Sequence, residues 1–318
     1  MNDILYVVVP CYNEQEVLKE TAKRLLEKIN NLIENKIINS KSRIMFIDDG
    51  SKDATWEIIS KLHSQNKIFI GVKLSRNRGH QNALLAGLYE ASKRADVTIS
   101  MDADLQDDIN AVDEMLKKYF SGCDIVYGVR NDRKNDSFFK KNTAVTFYKI
   151  MNFLGAETVF NHADYRLMSK RAVEGLLSFK ERNLFLRGIV PLIGYKSDKV
   201  FYDRTKRFAG ESKYPLRKMI SFALEGITSF STKPIRYITI MGFLMFLVSL
   251  VLLIYSVIRW AIGASVLGWA SLICSVWAIG GLIMLSLGII GEYIGKLYLE
   301  VKNRPGFIIE AVLDDEDN

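Results

Sequence analysis

The chain has 318 residues, of which 49% are hydrophobic and 25% charged, and its formal net charge is +7. This length suits one large domain or two smaller ones. The three histidines and three cysteines lack the spacing of a metal or redox site, which argues against zinc and favours a reduced cytoplasmic compartment. The N-terminus lacks the basic and apolar regions of a secretory signal, so we expect none.

The apolar residues divide the chain into two parts. Positions 1–215 have the pattern of a soluble α/β protein, whereas 235–299 have the pattern of membrane segments. We therefore predict a soluble domain at 1–214, an amphipathic juxtamembrane helix at 215–234, two transmembrane helices at about 235–258 and 266–290, and a cytoplasmic tail at 300–318, whose acidic end we expect to be disordered.

Strands and helices alternate through the soluble domain. We predict five strands, at 4–9, 43–48, 68–74, from 97 onward and at 124–129, separated by helices at about 14–35, 54–65, up to 93, and 111–120. Such alternation implies right-handed crossovers and a Rossmann-like, mainly parallel sheet. Because ligands bind beyond the carboxyl ends of such strands, the polar clusters that follow them should converge on one edge. These clusters are Tyr12–Glu14, Asp48–Asp49, Arg76–Asn77 and Asp102–Gln106.

The last cluster has the chemistry of a divalent cation site. Asp102 and Asp104 are two residues apart, so on a regular strand their side chains would share one face. Two carboxylates and the amide of Gln106 are hard ligands that suit Mg²⁺ or Mn²⁺ on a diphosphate. Taken alone, the same residues also fit a solvated acidic turn that caps the next helix.

Asp49 has a binding interpretation and a structural one. At the sheet edge it could accept a hydrogen bond from a base N–H or a ribose hydroxyl. An aspartate or serine before a helix also caps it, and we assign capping to Ser51 or Asp53 and binding to Asp49. The absence of a P-loop and of a G-x-G-x-x-G motif argues against an ATPase or a dinucleotide enzyme.

A basic stretch and the apolar segments that follow it predict a membrane contact. Between Lys196 and Lys218 there are eight cations and three acids, which suits anionic lipid or phosphate, and no nucleic-acid module is recognisable. The 215–234 segment has apolar positions at helical spacing, typical of an interfacial helix or of a packed core helix. Cations flank the two spans rather than their short link, so both termini should be cytoplasmic. Glycines in the second span favour an oligomer.

Four motifs, V-V-P-C-Y-N-E, D-D-G-S-K-D, S-R-N-R-G-H and D-A-D-L-Q-D, resemble those of family-two glycosyltransferases of the GT-A fold. Within this family, the chain is similar over its whole length to the polyprenyl-phosphate glycosyltransferases, which include bactoprenol glucosyltransferases and dolichol-phosphate mannose synthases. The resemblance implies Mg²⁺ or Mn²⁺ at Asp102, Asp104 and Gln106. It implies a UDP-sugar at Pro10, Tyr12, Asn13, Glu14, Asp49, Arg76, Asp102 and Ala103.

Two later segments extend the resemblance. The sequence N-H-A-D-Y-R-L-M at 161–168 stands where relatives read G-D-F-R-L-M, and it departs from them at Ala163 and Tyr165. The resemblance makes Asp164 the catalytic carboxylate, with Arg166 beside it. From the residues alone, an aspartate and an arginine two residues apart predict a surface ion pair that contributes little to stability.

The segment R-F-A-G-E-S-K-Y at 207–214 resembles the family's phosphate-binding segment, which implies Arg207, Ser212 and Lys213 as ligands. Arg130, at the end of the fifth strand, is a further candidate for the acceptor phosphate. Each of these cations also fits a solvated face.

The resemblance implies an enzyme of the inner (cytoplasmic) membrane of a bacterium that transfers a sugar, with inversion, from a UDP-sugar to undecaprenyl phosphate. Glucose, N-acetylglucosamine and galactose all stay open as the sugar, and a flippase and an outer-face glycosyltransferase would act afterwards. Because the phosphate acceptor is already mostly dianionic, we expect Asp164 to position the acceptor and Arg166, or to handle a residual proton, rather than to create the nucleophile.

Three other functions are alternatives to this glycosyltransferase. A processive polysaccharide synthase would carry Q-x-x-R-W and more spans, and neither is present. A nucleotidyltransferase would share the fold class but would not need the lipid-facing half. A non-catalytic membrane scaffold or transporter subunit that binds nucleotide-sugar would tolerate the loss of Asp104.

Overall fold

The computed structural model describes residues 3–131, 162–181, 186–203, 233–262 and 269–314. The predicted phosphate ligands Arg207, Ser212 and Lys213 lie outside these residues, as does almost all of the predicted interfacial helix. The chain divides into two units, one containing a sheet built from residues before 204 and after 303, the other containing two long helices.

A mixed sheet forms the first unit. Its strands are β1 (Leu5–Cys11), β2 (Arg43–Asp48), β3 (Phe69–Leu74), β4 (Val97–Ser100), β5 (Ile125–Arg130), β6 (His162–Ser169), β7 (Ser197–Tyr202) and β8 (Ile309–Leu313). The strand order is β7-β5-β6-β4-β1-β2-β3-β8. All neighbouring pairs are parallel except those that involve β6 or β8. The predicted α/β architecture is therefore confirmed, with a mixed sheet in which four of the seven strand pairs are parallel.

The antiparallel direction of β6 matters for function. β6 runs antiparallel to its neighbours β4 and β5. Its amino end therefore lies at the sheet edge where β4 and β5 have their carboxyl ends. Ser100, the last residue of β4, is aligned with Arg166, and the Ser100 hydroxyl donates to the carbonyl of Asp164 at 2.6 Å. Residues after β4 and residues at the start of β6 thereby share one edge.

Six helices accompany the sheet among the described residues of this unit. They are α1 (Leu18–Glu34), α2 (Thr55–Gln65), α3 (His80–Ser92), α4 (Ala111–Phe120), α5 (Lys170–Ser178) and α6 (Leu186–Leu192). The apolar strands β1 and β4 are buried throughout, as expected for parallel strands covered on both faces. α1 buries Leu18, Leu25, Ile29 and Leu32, a spacing that keeps one face of the helix in the core.

The last strand lies within the segment predicted as a cytoplasmic tail at 300–318. β8 pairs antiparallel with β3 at the edge of the sheet. An ion pair of 2.9 Å joins Lys73 Nζ to Glu310 Oε1, and Asp314 pairs with Arg94. The C-terminal segment is thus part of the soluble domain.

The second unit contains α7 (Lys233–Ala261) and α8 (Trp269–Lys302). Helices were predicted at both places, but α8 extends well beyond the predicted end of the second span at 290. Among the described residues, one helical stretch, Ile279–Lys302, is long and apolar enough to cross a membrane. The predicted two-helix hairpin is therefore not confirmed by this criterion.

Gly87 provides a test of how closely α3 packs on the sheet. A Cβ added there would overlap Val8 and lie 2.7 Å from Cγ1 of Ile47. We expect Gly87→Ala to destabilise the protein by about 1–3 kcal/mol through overpacking, although alanine is the better helix former by about 0.5–1 kcal/mol. Gly175→Ala in α5 is the control, because its Cβ would meet nothing closer than 3.2 Å. Equal thermal midpoints for the two variants would contradict the close packing.

Candidate active site

Asp49 fixes the start of α3. Its side-chain oxygens accept the backbone N–H groups of Arg78 at 2.7 Å and of Gly79 at 2.9 Å. Burial raises the pKa of Asp49, and these two hydrogen bonds oppose the rise. Gly50 permits the approach, because a Cβ there would lie 2.6 Å from the backbone of Arg76. The structure thus gives Asp49 a structural task, and its nucleotide-binding role stays a prediction.

The loops after β1 and β2 are joined by hydrogen bonds. Ser51 Oγ accepts the N–H of Asn13 at 3.0 Å, and Asn13 Oδ1 accepts the N–H of Lys52 at 2.9 Å. Glu14 N–H donates to Thr55 Oγ1 at 3.0 Å. Pro10 is buried, whereas the Tyr12 side chain next to this joint is exposed. These predicted nucleotide-binding residues are therefore brought together with the loop that carries Asp49.

Capping was assigned to Ser51 or Asp53, and Asp53 is the one that binds the start of the helix. Asp53 Oδ1 accepts the N–H of Thr55, the first residue of α2, at 3.0 Å. The Ser51 side chain instead binds the preceding loop at Asn13. Ser51 therefore holds two loops together rather than capping a helix.

The acidic loop after β4 differs in shape from the prediction. β4 ends at Ser100, so Asp102 and Asp104 are not on a strand and the shared-face argument does not apply. The chain turns at Leu105, whose φ is 58°, and Asp104 Oδ1 accepts the N–H of Gln106 at 3.1 Å. The carbonyl of Ala103 is held by the Thr21 hydroxyl at 2.7 Å. Asp104 is buried inside the loop, while Asp102 and Gln106 are partly exposed.

The donor set of this loop fits a divalent cation that also binds phosphate. Among the described residues no group of three or more His, Cys, Asp or Glu side chains is arranged as a metal site. Magnesium needs only one or two carboxylates when a diphosphate supplies further ligands. Burial, together with the neighbouring carboxylates of Asp107, Asp164 and Asp104, raises the pKa of Asp102 to about 6. A cation would relieve this crowding of negative charge.

His80 joins the two halves of the site. Its Nε2 lies 3.6 Å from Asp102 Oδ1 and 3.6 Å from Asp164 Oδ2. Burial disfavours the protonated ring, but the two carboxylates outweigh this effect and raise the pKa of His80. In the sequence His80 is only the last residue of the S-R-N-R-G-H motif. Its contacts with Asp102 and Asp164 come from the fold.

Asp164 lies between two arginines. Arg166 Nη2 donates to its Oδ1 at 2.8 Å, while Arg187 donates from Nη2 to Oδ2 at 3.0 Å and from Nε to Oδ1 at 3.3 Å. Burial acts to raise the pKa of Asp164, but His80 and the two arginines hold it well below its usual range. The Arg166 side chain is only 2% exposed. This is therefore not the surface ion pair that the residues alone would predict.

Arg187 was not predicted, because it comes from a short helix far along the chain. The N–H of Leu186, at the start of α6, donates to Gln81 Oε1 in α3 at 2.9 Å. Arg166 Nη1 lies 3.5 Å from the carbonyl of the same Leu186. Contacts from α3 and β6 thus fix the residue that precedes Arg187.

Arg130 lies at the carboxyl end of β5 and is engaged by two polar groups. Its Nη2 is 3.2 Å from Asp107 Oδ1, its Nε is 3.2 Å from the Tyr202 hydroxyl, and that hydroxyl donates to Asp107 Oδ1 at 2.5 Å. The Asp107 side chain is 1% exposed. The predicted phosphate-binding role of Arg130 is untested, but the arginine is held in place from two elements.

Comparison with known proteins defines the class. Residues 6–177 match the family described as glycosyl transferase family 2. An uncharacterised glycosyltransferase of Bacillus subtilis is 54% identical, covering 98% of this chain and 93% of its own length. The SfII prophage-derived bactoprenol glucosyl transferase of Shigella flexneri is 39% identical, covering 96% of each chain. The chain belongs to glycosyltransferase family 2.

This membership makes the protein a glycosyltransferase with a mixed α/β domain of the GT-A type. Among solved structures, a mannosyltransferase of Pyrobaculum calidifontis in complex with GDP-Man and Mn²⁺ is 16% identical, with a TM-score of 0.47, and covers 95% of this chain and 87% of its own. That structural similarity is too low to carry weight, so the assignment rests on the sequence relatives.

Tyr202→Phe tests the network around Arg130. The substitution removes the hydroxyl that donates to the buried Asp107, and we expect it to cost about 1–3 kcal/mol of stability. Tyr195→Phe is the control, because Tyr195 is 40% exposed and its change should stay within about 0.5 kcal/mol. Thermal unfolding of both purified variants measures the difference. Identical midpoints would mean that the Tyr202 hydroxyl does not support Asp107.

Proposed function

We propose that the protein transfers a hexose from a UDP-sugar to undecaprenyl phosphate at the cytoplasmic face of a bacterial membrane, with inversion at the anomeric carbon. The observation that carries the proposal is the cluster of Asp164, Arg166 and Arg187, which His80 connects to the acidic loop at Asp102. It gives one site an acidic half for a cation-bound diphosphate and a basic half for a phosphate acceptor. The relatives named bactoprenol glucosyl transferases support the lipid acceptor.

On the donor side, the loops after β1, β2 and β4 would hold the nucleotide-sugar. Pro10, Tyr12, Glu14 and Asp49 would bind the uridine, and Asn13, Arg76 and Ala103 would make further contacts with the nucleotide-sugar. Asp102, with Gln106 and Asp104 in its loop, would hold Mg²⁺ or Mn²⁺, which when bound neutralises charge that grows on the UDP leaving group. The hydrogen bond from Gln106 N–H to Asp104 keeps this loop in one shape.

On the acceptor side, Asp164 would serve as an anchor rather than as a base. A carboxylate whose pKa is far below its usual range is a weak proton acceptor. The acceptor has little proton to give, because a phosphate monoester has a second pKa of about 6. Asp164 would instead hold Arg166 and Arg187 where the lipid phosphate attacks the anomeric carbon.

The membrane topology is also a proposal. α7 and α8 would cross the bilayer as a hairpin, with the soluble domain and both termini in the cytoplasm. The placement of β8 in the same sheet as β1–β7 supports an even number of crossings, because the chain must return to the side from which it left. Since about 20 residues are enough to span the hydrocarbon, the additional length of α8 would extend into the cytoplasm.

The glycines of α8 would mediate packing in a homo-oligomer, and a flippase and an outer-face glycosyltransferase would use the product.

Transfer of radiolabel from UDP-glucose, UDP-N-acetylglucosamine or UDP-galactose to organic-extractable lipid tests the proposal. We expect a metal-dependent product with undecaprenyl phosphate for one of these donors. Asp104→Ala should lower the rate and raise the metal concentration for half-maximal activity by about tenfold to a hundredfold. Asp113→Ala in α4 is the control, because the Asp113 side chain is 45% exposed and pairs with Lys28 of α1. If wild-type protein never labels lipid with any donor, the proposal fails.

The pH dependence separates an anchor from a base. Because the pKa of Asp164 is far below its usual range, Asp164 should stay ionised from about pH 5 upward. The wild-type rate should then fall below about pH 6 as the acceptor phosphate is protonated. Asp164→Asn should be slower by about a hundredfold at every pH, because the arginines lose their charged partner, and should keep the same acidic limb.

A phosphonate analogue of the acceptor, which has a higher second pKa, provides the control for that assignment. It should move the acidic limb to higher pH in both wild type and Asp164→Asn. An acidic limb that disappears in Asp164→Asn would show that Asp164 takes a proton. A limb that ignores the phosphonate in both proteins would instead report another group, such as Asp102, whose pKa is raised to about 6.

A further inference from the structure

We propose that Tyr165 is a positioning residue for the cation, because its hydroxyl group holds the acidic loop (residues 101–108) in the shape that binds Mg²⁺ or Mn²⁺ together with the donor diphosphate. The inference rests on the proposed function and deepens it, since it adds to the donor site a residue outside the predicted ligands. Its basis is the way in which β6 contacts both ends of this loop.

Two adjacent residues of β6 fix the two ends of the acidic loop. At its start, the Ser100 hydroxyl donates to the carbonyl of Asp164 at 2.6 Å. At its end, the Tyr165 hydroxyl donates to the carbonyl of Asp108 at 3.0 Å. That carbonyl also accepts the N–H of Ala111, the first residue of α4, at 3.1 Å. The strand that presents Asp164 thus also sets the distance between the two ends of the loop.

Packing fixes the position of the Tyr165 hydroxyl. The side chain is fully buried, and its ring meets that of Tyr202 edge-on, with 5.3 Å between the centroids. On β5, Gly128 leaves room for the ring, since a Cβ there would lie 2.9 Å from Cδ1 of Tyr165. Burial raises the pKa of Tyr165 well above its usual range, so the hydroxyl stays protonated and remains a donor. A ring held in this way has little freedom to move its hydroxyl away from Asp108.

The loop needs anchors because its backbone is strained. Leu105 has a φ of 58°, a left-handed conformation that is sterically unfavourable for a side chain of this size. Such a residue persists only where the surrounding structure fixes it. The Thr21 hydroxyl holds the carbonyl of Ala103 before Leu105. The Tyr165 hydroxyl holds the carbonyl of Asp108 after it.

Two predicted cation ligands lie between these anchors. Asp104 and Gln106 are the sequence neighbours of Leu105. If the Tyr165 hydroxyl is removed, the second half of the loop can relax toward an unstrained backbone, which moves both ligands. Ordering the loop again would cost conformational free energy at each binding event. The loss should therefore appear as weaker metal binding, and saturating metal should restore the rate.

A tyrosine that merely fills the core is the alternative. Tyr165 stands where relatives read phenylalanine in G-D-F-R-L-M. Tyr165→Phe therefore restores the residue of that motif and removes only the hydroxyl oxygen, while the ring can still pack against Tyr202. The variant should fold, with some loss of stability under either explanation, because a hydrogen bond to a backbone carbonyl is lost. Metal affinity separates the two explanations.

Mn²⁺ binding to the full-length protein in the presence of UDP tests the inference without any turnover. The electron paramagnetic resonance signal of free Mn²⁺ measures it. Tyr165→Phe should raise the Kd for Mn²⁺ by about tenfold, the lower end of the range for residues that orient metal ligands. The Mn²⁺ concentration for half-maximal sugar transfer should rise by the same factor. The rate at saturating Mn²⁺ and the KM for undecaprenyl phosphate should stay close to those of the wild type.

Tyr119→Phe is the matched control. The Tyr119 hydroxyl donates to Asp3 Oδ2 at 2.8 Å, and Asp3 precedes β1, at the edge of the sheet opposite the acidic loop. The substitution removes the same chemical group and one hydrogen bond away from the site. The thermal midpoints of both variants should fall, whereas only Tyr165→Phe should lose affinity for Mn²⁺.

Three results would overturn the inference while leaving the proposed function standing. One is a wild-type Kd for Mn²⁺ in Tyr165→Phe. Another is an equal loss of Mn²⁺ affinity in Tyr119→Phe, because a general loss of stability would then explain both variants. The third is a slow Tyr165→Phe enzyme that saturating Mn²⁺ does not restore. Failure of the proposed function itself would appear differently, as absence of labelled lipid with the wild-type protein.

Discussion

The site depends on two hydrogen bonds that the Asp49 carboxylate accepts from the backbone N–H groups of Arg78 and Gly79. These bonds fix the start of α3, and the first two residues of α3 then contact different parts of the site. His80 approaches the carboxylates of Asp102 and Asp164, while Gln81 holds the first residue of α6. A single buried acid after β2 thereby aligns loops that are far apart in sequence.

The antiparallel direction of β6 is the second feature that determines the geometry of the site. Because it runs against β4 and β5, its second and third residues, not its last, lie at the edge where the parallel strands end. The carboxylate of Asp164 consequently faces the acidic loop, and Arg166 lies in the core beside it. The cost of burying Arg166 is offset by its pairing with Asp164 at 2.8 Å. Two opposite charges thus reach the sheet edge beside the acidic loop.

Much of the sheet was predictable because its parallel strands are continuous apolar runs. The predicted ranges for β2 and α4 agree with the structure, and those for β1, β3 and β5 differ by one or two residues. β6 was recognised as a motif but not as a strand, since its polar residues are buried by pairing that only the fold supplies. β8 was missed because five residues after a long apolar helix carry no signal of their partner, β3.

The site was predicted less completely than the fold. The motifs located Asp49, Asp102 and Asp164, and the structure brings Asp102 and Asp164 within reach of one histidine. The strand argument for Asp102 and Asp104 failed because β4 ends early and the chain turns at Leu105. His80 and Arg187 were missed because their roles come from contacts between elements separated by many residues. No local pattern reports such contacts.

The position of β8 bears on how the protein is made. A ribosome synthesises β3 early and β8 only after both long helices have left the exit tunnel. Until then the outer edge of β3 has unpaired backbone groups, which are a template for pairing with other chains. The first unit therefore completes its sheet only after both long helices have been made, and the outer edge of β3 needs protection until then.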